Sequence, residues 1–136
     1  MTTTESIWYK PYTPEEARVC AARGAVWMDE NCPGWVLEIN SNTLDLSEGY
    51  ACILGQTAHC VTHGKVQSGN PTSYDRTINW ICQKLKLDPE GDGAGRWEED
   101  HGFSISGGDE EPRMAWEMLT AAWLEEISSR LNAPGS

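Results

Sequence analysis

The chain has 136 residues, 39% of them hydrophobic, with seven tryptophans and a formal net charge of −11. This length predicts one domain that buries a core without needing disulfide or metal staples. The negative charge argues against direct binding to nucleic acid or to an anionic membrane, because both require basic protein surfaces.

From the sequence we expect neither an export signal nor a membrane span. The opening MTTTESIWYK lacks a cationic segment followed by an apolar stretch, so we expect no secretory leader. No apolar run approaches the ~20 residues that a membrane span requires. Five cysteines, an odd number, without an export signal predict free thiols in a reducing cytoplasm rather than disulfides.

The N-terminal third predicts an arm followed by a helix. Residues 1–12 hold several aromatic residues and a proline, and we expect an extended arm there. Thr13-Pro14-Glu15-Glu16 is typical of a helix start with a capping box. Small and apolar residues recur after it at helical spacing, which would let another helix approach closely; they are Ala17, Cys20, Ala21, Gly24 and Met28. Asn31 to Gly34 end this helix, and WVLEI predicts a further helical turn or two.

Three further segments have helical patterns. Ser47 is a plausible N-cap for a helix that carries Tyr50, Ile53, Leu54 and Val61. Thr72-x-x-Asp75 restarts a helix whose apolar face comprises Tyr74, Ile78, Ile81, Cys82 and Leu85. The last helix runs from about Pro112 to Leu131 and has one apolar face, formed by Trp116, Leu119, Trp123, Ile127 and Leu131.

Between the last two helices, RWEED predicts a helical turn or two and GFSI (102–105) a short strand. Residues 133–136 form a tail. The sum predicts a mainly α fold: a small single-domain bundle of four to five helices over 13–132, with an acidic glycine-rich loop at 88–111.

The negative charge is concentrated in that loop. From Asp88 to Glu111 nine acids stand against one base, Arg96, so this segment holds −8 of the net −11. It is either a solubilising surface or a recognition surface for a basic partner. Pairs such as Glu98-Glu99 are expected in solvent, and Trp97 is expected to be exposed. The partner-binding candidates are Trp97, Glu98, Glu99, Asp100, Asp109, Glu110 and Glu111.

The same loop partly fits a calcium-binding pattern. In DPEGDGAGRWEE, alternate carboxylates could point inward and a glycine could permit the sharp turn. Gly95, however, stands where an apolar residue usually anchors such a loop, and Arg96 adds charge repulsion. We therefore expect a solvated surface loop without a metal. The ligand candidates would be Asp88, Glu90, Asp92 and Glu99.

A zinc site is the second metal hypothesis. The stretch ACILGQTAHCVTH holds two cysteines and two histidines, and Cys60-x-x-His63 could lie on one helical face with Cys52 nearby. The spacing of Cys52 and Cys60 fits no common finger layout, and Cys32 could complete a set only through the tertiary fold. We interpret the stretch as a core-lining helix in which Cys52 behaves as a small buried apolar residue.

Several short motifs occur in a characteristic order: ARGAVWMDENCPGW, LDL, CILGQ, GF and LTAAWLEEI. Together they resemble a family of small uncharacterised proteins from actinobacteriophages and their actinobacterial hosts, over most of the chain from Ala21 to Ile127. Members often carry a second cysteine two residues before Cys52, where this chain has Tyr50, which weakens a metal or redox role. The resemblance implies a phage or prophage setting and little chemistry.

No nucleophile motif is present, so we expect no enzyme and no cofactor. The sequence favours a phage accessory protein that acts in the host bacterial cytoplasm by binding a host or phage protein. We expect that partner to have a basic surface. The accessory protein could bind it by mimicking nucleic acid. Two alternatives stay open: a metal-binding module (calcium at Asp88–Glu99, or zinc at Cys52, Cys60 and His63) and a structural virion component.

Overall fold

A computed structural model describes residues 12–105 and 112–132. Over these ranges the chain forms five α-helices and one 3-10 helix, and no strand, which confirms a mainly α fold. None of the described helices is long and apolar enough to cross a membrane. The predictions for the arm, for the tail and for Asp109, Glu110 and Glu111 lie outside the described residues.

Helix α1 spans Pro14–Asn31 and begins as its sequence predicts. The Thr13 side chain accepts a hydrogen bond from the backbone N–H of Glu16 at 3.1 Å, which caps the helix N-terminus. The helix ends at Cys32, whose backbone N–H donates to the Met28 carbonyl. A 3-10 helix, Trp35–Glu38, follows directly. The small-residue face of α1 is buried, and it comprises Ala17, Ala21, Gly24, Ala25 and Met28.

Helices α2, Ile53–Val61, and α3, Ser73–Leu85, pack against each other. The prediction that Ser47 begins α2 is wrong: residues 47–52 form turns, and Cys52 is the N-cap. Asp45 holds Ser47 in a local turn by accepting from both its backbone N–H and its hydroxyl. Gly55 then lets this turn lie directly on α2, since a Cβ there would come within 2.2 Å of the Gly49 carbonyl oxygen.

Helix α4, Asp92–Asp100, includes the predicted helical RWEED segment. The strand predicted at 102–105 is absent from the described chain. The backbone N–H groups of Phe103 and Ser104 both donate to the Glu98 carbonyl, so the chain folds back on the end of α4. Because these two N–H groups donate within the same segment, they are not available for the hydrogen bonds that would pair a β-strand with a neighbour.

Helix α5, Pro112–Leu131, packs against α1. Trp123 is fully buried, as predicted, and its indole N–H donates to the Gly102 carbonyl at 2.7 Å. Trp116 is only half-buried and Leu131 is exposed, so the ends of the predicted apolar face leave the core. Gly24 of α1 makes the close approach of α5 possible, because a Cβ there would lie 2.6 Å from a ring carbon of Trp123, and it would also lie 2.0 Å from the His101 carbonyl oxygen.

Candidate functional site

Cys52 lies at the start of α2 and is buried, as the sequence predicts. Its sulfur accepts a hydrogen bond from the Gly55 backbone N–H at 3.3 Å. Burial nevertheless dominates and raises the pKa of the Cys52 thiol to about 11. A thiol with this pKa is protonated at neutral pH, so Cys52 is neither a ready nucleophile nor a ready metal ligand.

Cys60 is bonded to Cys32, so the prediction of free thiols is wrong for these two residues. The disulfide joins the residue that ends α1 to the last turn of α2, with 6.0 Å between the Cα atoms. Sequence patterns cannot reveal such a pair, because the two residues are 28 positions apart and meet only through the tertiary fold. Cys60 in this state cannot serve the zinc set proposed with Cys52 and His63.

The two histidines near the end of α2 are exposed. The His63 ring lies 5.7 Å from the Trp80 ring of α3, measured between centroids. The His59 ring lies beside Gly64, 3.5 Å from where a Cβ would be. Over the described part of the chain, no group of three or more His, Cys, Asp or Glu side chains is arranged to hold a metal ion.

The calcium-loop candidates do not surround a common point as a loop would require. Asp88 accepts from the Glu90 backbone N–H in a local turn. Asp92 and Glu99 both lie in α4. The calcium-loop pattern instead requires Asp92 to lie within an open loop and Glu99 to lie at the end of that loop. Helix formation from Asp92 onward therefore replaces the second half of the predicted loop.

Glu98 differs from the other acids of the segment because it is half-buried. The Tyr74 hydroxyl donates to a Glu98 carboxylate oxygen. Burial raises the pKa of Glu98 although this hydrogen bond opposes the change, and burial also raises the pKa of Tyr74. The prediction that Glu98 lies in solvent is wrong: it is a structural residue that links α4 to α3.

Trp97 is also not the exposed residue that we expected. It is half-buried, and its ring contacts three others, with centroid separations of 5.3 Å to Trp27, 4.3 Å to His101 and 5.6 Å to Phe103. These rings fix α4 on α1. Of the described partner-binding candidates, Asp100 is exposed and Glu99 is partly exposed.

Two neighbouring concave sites lie beside α5. The first is an open cleft of about 610 Å³ between the turn at 44–47 and α5. The second, which we call the Tyr74 cavity, has a volume of about 350 Å³. Its lining comes from four separate parts of the chain, so no local sequence signal could have predicted it. The lining residues are Leu46, Ser47, Gly49, Cys52, Pro71, Tyr74, Asp75, Phe103, Ser104 and Trp116.

The geometry thus offers two features that could meet a partner. One is a group of carboxylates on and just before α4, and the other is the Tyr74 cavity. No protein-family model, curated protein or solved structure matches the chain.

Proposed function

We propose that this chain is a non-enzymatic phage accessory protein that binds a basic surface of a host or phage protein. The binding element would be the acidic surface, defined as Asp88, Glu90, Asp92, Glu99 and Asp100. The motif resemblance to actinobacteriophage proteins supports the phage setting and, with it, the host bacterial cytoplasm as the place of action.

One observation carries this proposal: among the described residues, no carboxylate of the acidic surface forms a salt bridge, and Arg96 acts on Glu99 only through its charge. Among the described residues, salt bridges join other acids to Arg18, Arg113 and Arg130, and none involves an acid between 88 and 100. Unpaired like charges repel one another and destabilise the folded chain. A basic partner would relieve that repulsion on binding, which makes the arrangement suited to recognition.

A specific form of the proposal is mimicry of nucleic acid. Duplex DNA presents closely spaced negative charges to the basic grooves of the proteins that bind it. The carboxylates on α4 and on the segment just before it offer a similar concentration of negative charge. The partner would then be a nuclease, a regulator or a polymerase component whose basic groove the acidic surface occupies.

The first test identifies the partner and measures its association. A pull-down from host lysate with mass spectrometry supplies the partner, and association rates are then recorded against ionic strength. Electrostatic steering predicts a rate that falls steeply as salt increases. Neutralising Asp92, Glu99 and Asp100 together (to Asn, Gln and Asn) should slow association by about tenfold at low salt and flatten its salt dependence.

The matched control neutralises three exposed acids on α1 and the 3-10 helix: Glu15→Gln, Glu30→Gln and Glu38→Gln. It changes the net charge by the same amount but leaves the acidic surface intact. Glu98 is excluded from both variants, because its contact with Tyr74 would confuse folding with binding. Equal rates and equal salt slopes for both variants would reduce the acidic surface to a solubilising role.

The disulfide favours a second candidate function, that of a virion component. Disulfides persist in oxidising surroundings, which a released virion meets and a reducing cytoplasm does not provide. Cys32 and Cys60 would then be oxidised after release. Detecting the chain in purified virions, with this pair oxidised in non-reducing peptide mapping, would support this candidate; its absence from virions would rule it out.

A further inference from the structure

The Tyr74 cavity combines aromatic and acidic side chains. Tyr74 and Trp116 contribute rings and Asp75 contributes a carboxylate, whereas the ring of Phe103, which also lines the cavity, is buried and stacked on Trp97 and Trp123. Of the described residues that line the cavity, none is Lys, Arg or His. The Cys52 thiol is neutral because burial raises its pKa, so Asp75 sets the sign of the charge. Aromatic faces and a carboxylate both attract a cation.

The hydroxyl groups of the cavity point to the same class of ligand. Each hydroxyl donates its proton within the chain: Ser47 to Asp45 at 2.6 Å, Tyr74 to Glu98, and Ser104 to the Ile105 carbonyl at 3.4 Å. A hydroxyl whose proton is engaged can still accept through its lone pairs. The cavity therefore offers several acceptors and no free hydroxyl donor among the described lining residues, so a fitting ligand must bring donors.

The volume of the Tyr74 cavity further limits which ligands could fit it. Its volume of about 350 Å³ lies near the lower end of the usual range for ligand pockets, about 300–1,000 Å³. A lysine side chain fits this description because it is a slender aliphatic stem that ends in a compact cation with three donors. The apolar part of the lining, Leu46 with the aromatic rings, suits the stem.

We propose that the Tyr74 cavity receives a lysine side chain of the protein partner. The ammonium group would meet the Asp75 carboxylate, the aromatic rings and the hydroxyl lone pairs. This inference rests on the proposed function for its assumption that the partner is a protein with a basic surface. It adds a defined anchoring point to a recognition mode that would otherwise depend only on long-range charge.

The cavity is tested directly with capped amino acids. N-acetyl-lysine-N-methylamide is titrated into the ¹⁵N-labelled full chain, and the indole resonance of Trp116 is followed. We expect a saturable shift, and about tenfold weaker binding of the capped norleucine probe, which keeps the stem and lacks the ammonium. No shift with the lysine probe, or equal binding of both probes, would overturn the inference.

Two charge-neutralising variants distinguish binding in the Tyr74 cavity from general electrostatic attraction of the lysine probe. Asp75→Asn should weaken binding of the lysine probe about fivefold, whereas Glu38→Gln, at an exposed residue outside the acidic surface and outside both concave sites beside α5, should leave it unchanged. Equal effects of the two variants would contradict a specific role for Asp75.

The partner from the pull-down then distinguishes the two proposals. If the partner binds Asp75→Asn as tightly as wild type but loses affinity for the neutralised acidic surface, the lysine inference fails and the proposed function stands. If the lysine probe binds and Asp75→Asn weakens the partner while the acidic-surface variant does not, the cavity is supported and the acidic surface is not the binding element.

Discussion

Two helical glycines have opposite surroundings, and they show how strongly single residues constrain this fold. A Cβ on Gly24 would lie 2.0 Å from the His101 carbonyl oxygen and 2.6 Å from a ring carbon of Trp123. A Cβ on Gly95, within α4, would meet nothing within 4 Å. Packing requires a glycine at position 24, whereas Gly95 makes no such contact and only lowers the helix propensity of α4.

We therefore expect opposite effects on the free energy of unfolding. Gly24→Ala should destabilise the fold by about 1–3 kcal/mol, because backbone and a buried indole would have to move. Gly95→Ala should stabilise it by up to about 1 kcal/mol through helix propensity. Urea unfolding of both variants measures these values. A Gly24→Ala variant as stable as wild type would mean that α1 and α5 do not approach as closely as described.

At the scale of the elements, the Cys32–Cys60 disulfide links the end of α1 to the last turn of α2. Closing a loop across 28 positions should stabilise the fold by about 3–4 kcal/mol on the chain-entropy estimate. Replacing both cysteines by alanine should remove this stabilisation. A reductant should lower the melting temperature of wild type and leave that of the double variant unchanged.

Counting thiols provides the control for this prediction. Denatured, unreduced protein should react with a thiol reagent at three of its five cysteines, because Cys20, Cys52 and Cys82 are free. Cys20→Ala, at a half-buried free cysteine, should leave the effect of reductant intact. Reaction at all five positions without reductant would contradict the disulfide.

Local signals predicted some elements well and others poorly. The start of α1 follows from a capping residue and a proline, and α3 and α5 follow from apolar residues at helical spacing. The start of α2 could not be predicted, because it depends on Gly55 packing against the turn at Gly49. The disulfide, the burial of Glu98 and the Tyr74 cavity likewise depend on contacts between residues distant in sequence.

At the scale of the whole molecule, which carries a net charge of −11, two carboxyl groups with shifted pKa values make stability depend on pH. Burial raises the pKa of Glu98 above its ordinary value of 4.5, whereas the hydrogen bond from Arg130 lowers the pKa of Asp29 below 3.8. A carboxyl with a raised pKa binds its proton more tightly in the fold than in the unfolded chain, so protonation stabilises the fold. The contribution of Asp29 has the opposite sign.

The unfolding free energy should therefore rise as the pH falls from 7 through the raised pKa of Glu98, and this gain is complete below 4.5. The contribution of Asp29 is fully present above 3.8 and is lost as the pH falls through its lowered pKa. Stability should thus peak on the acid side of neutrality, which denaturant titrations across pH would measure.

Glu98→Gln tests how much of this pH dependence comes from the carboxyl group of Glu98, whose pKa is raised. The amide oxygen can still accept from Tyr74, but the side chain no longer titrates. The variant should show a smaller rise on acidification, while Glu90→Gln, at an exposed position, should follow wild type more closely. Superimposable curves for wild type and Glu98→Gln would show that other groups cause the rise.

The ring contacts around Trp97 continue through the molecule and have an optical consequence. Trp27, Trp97, Phe103, Trp123 and Trp35 form an unbroken row in which neighbouring centroids lie 5.3–5.7 Å apart. Indoles so close exchange excitation energy after absorbing light. We therefore expect the fluorescence of Trp27 with Trp97, and of Trp35 with Trp123, to report on each pair rather than on single residues. Trp116 has no ring contact with this row among the described residues, so its environment is best followed through its own nuclear resonance.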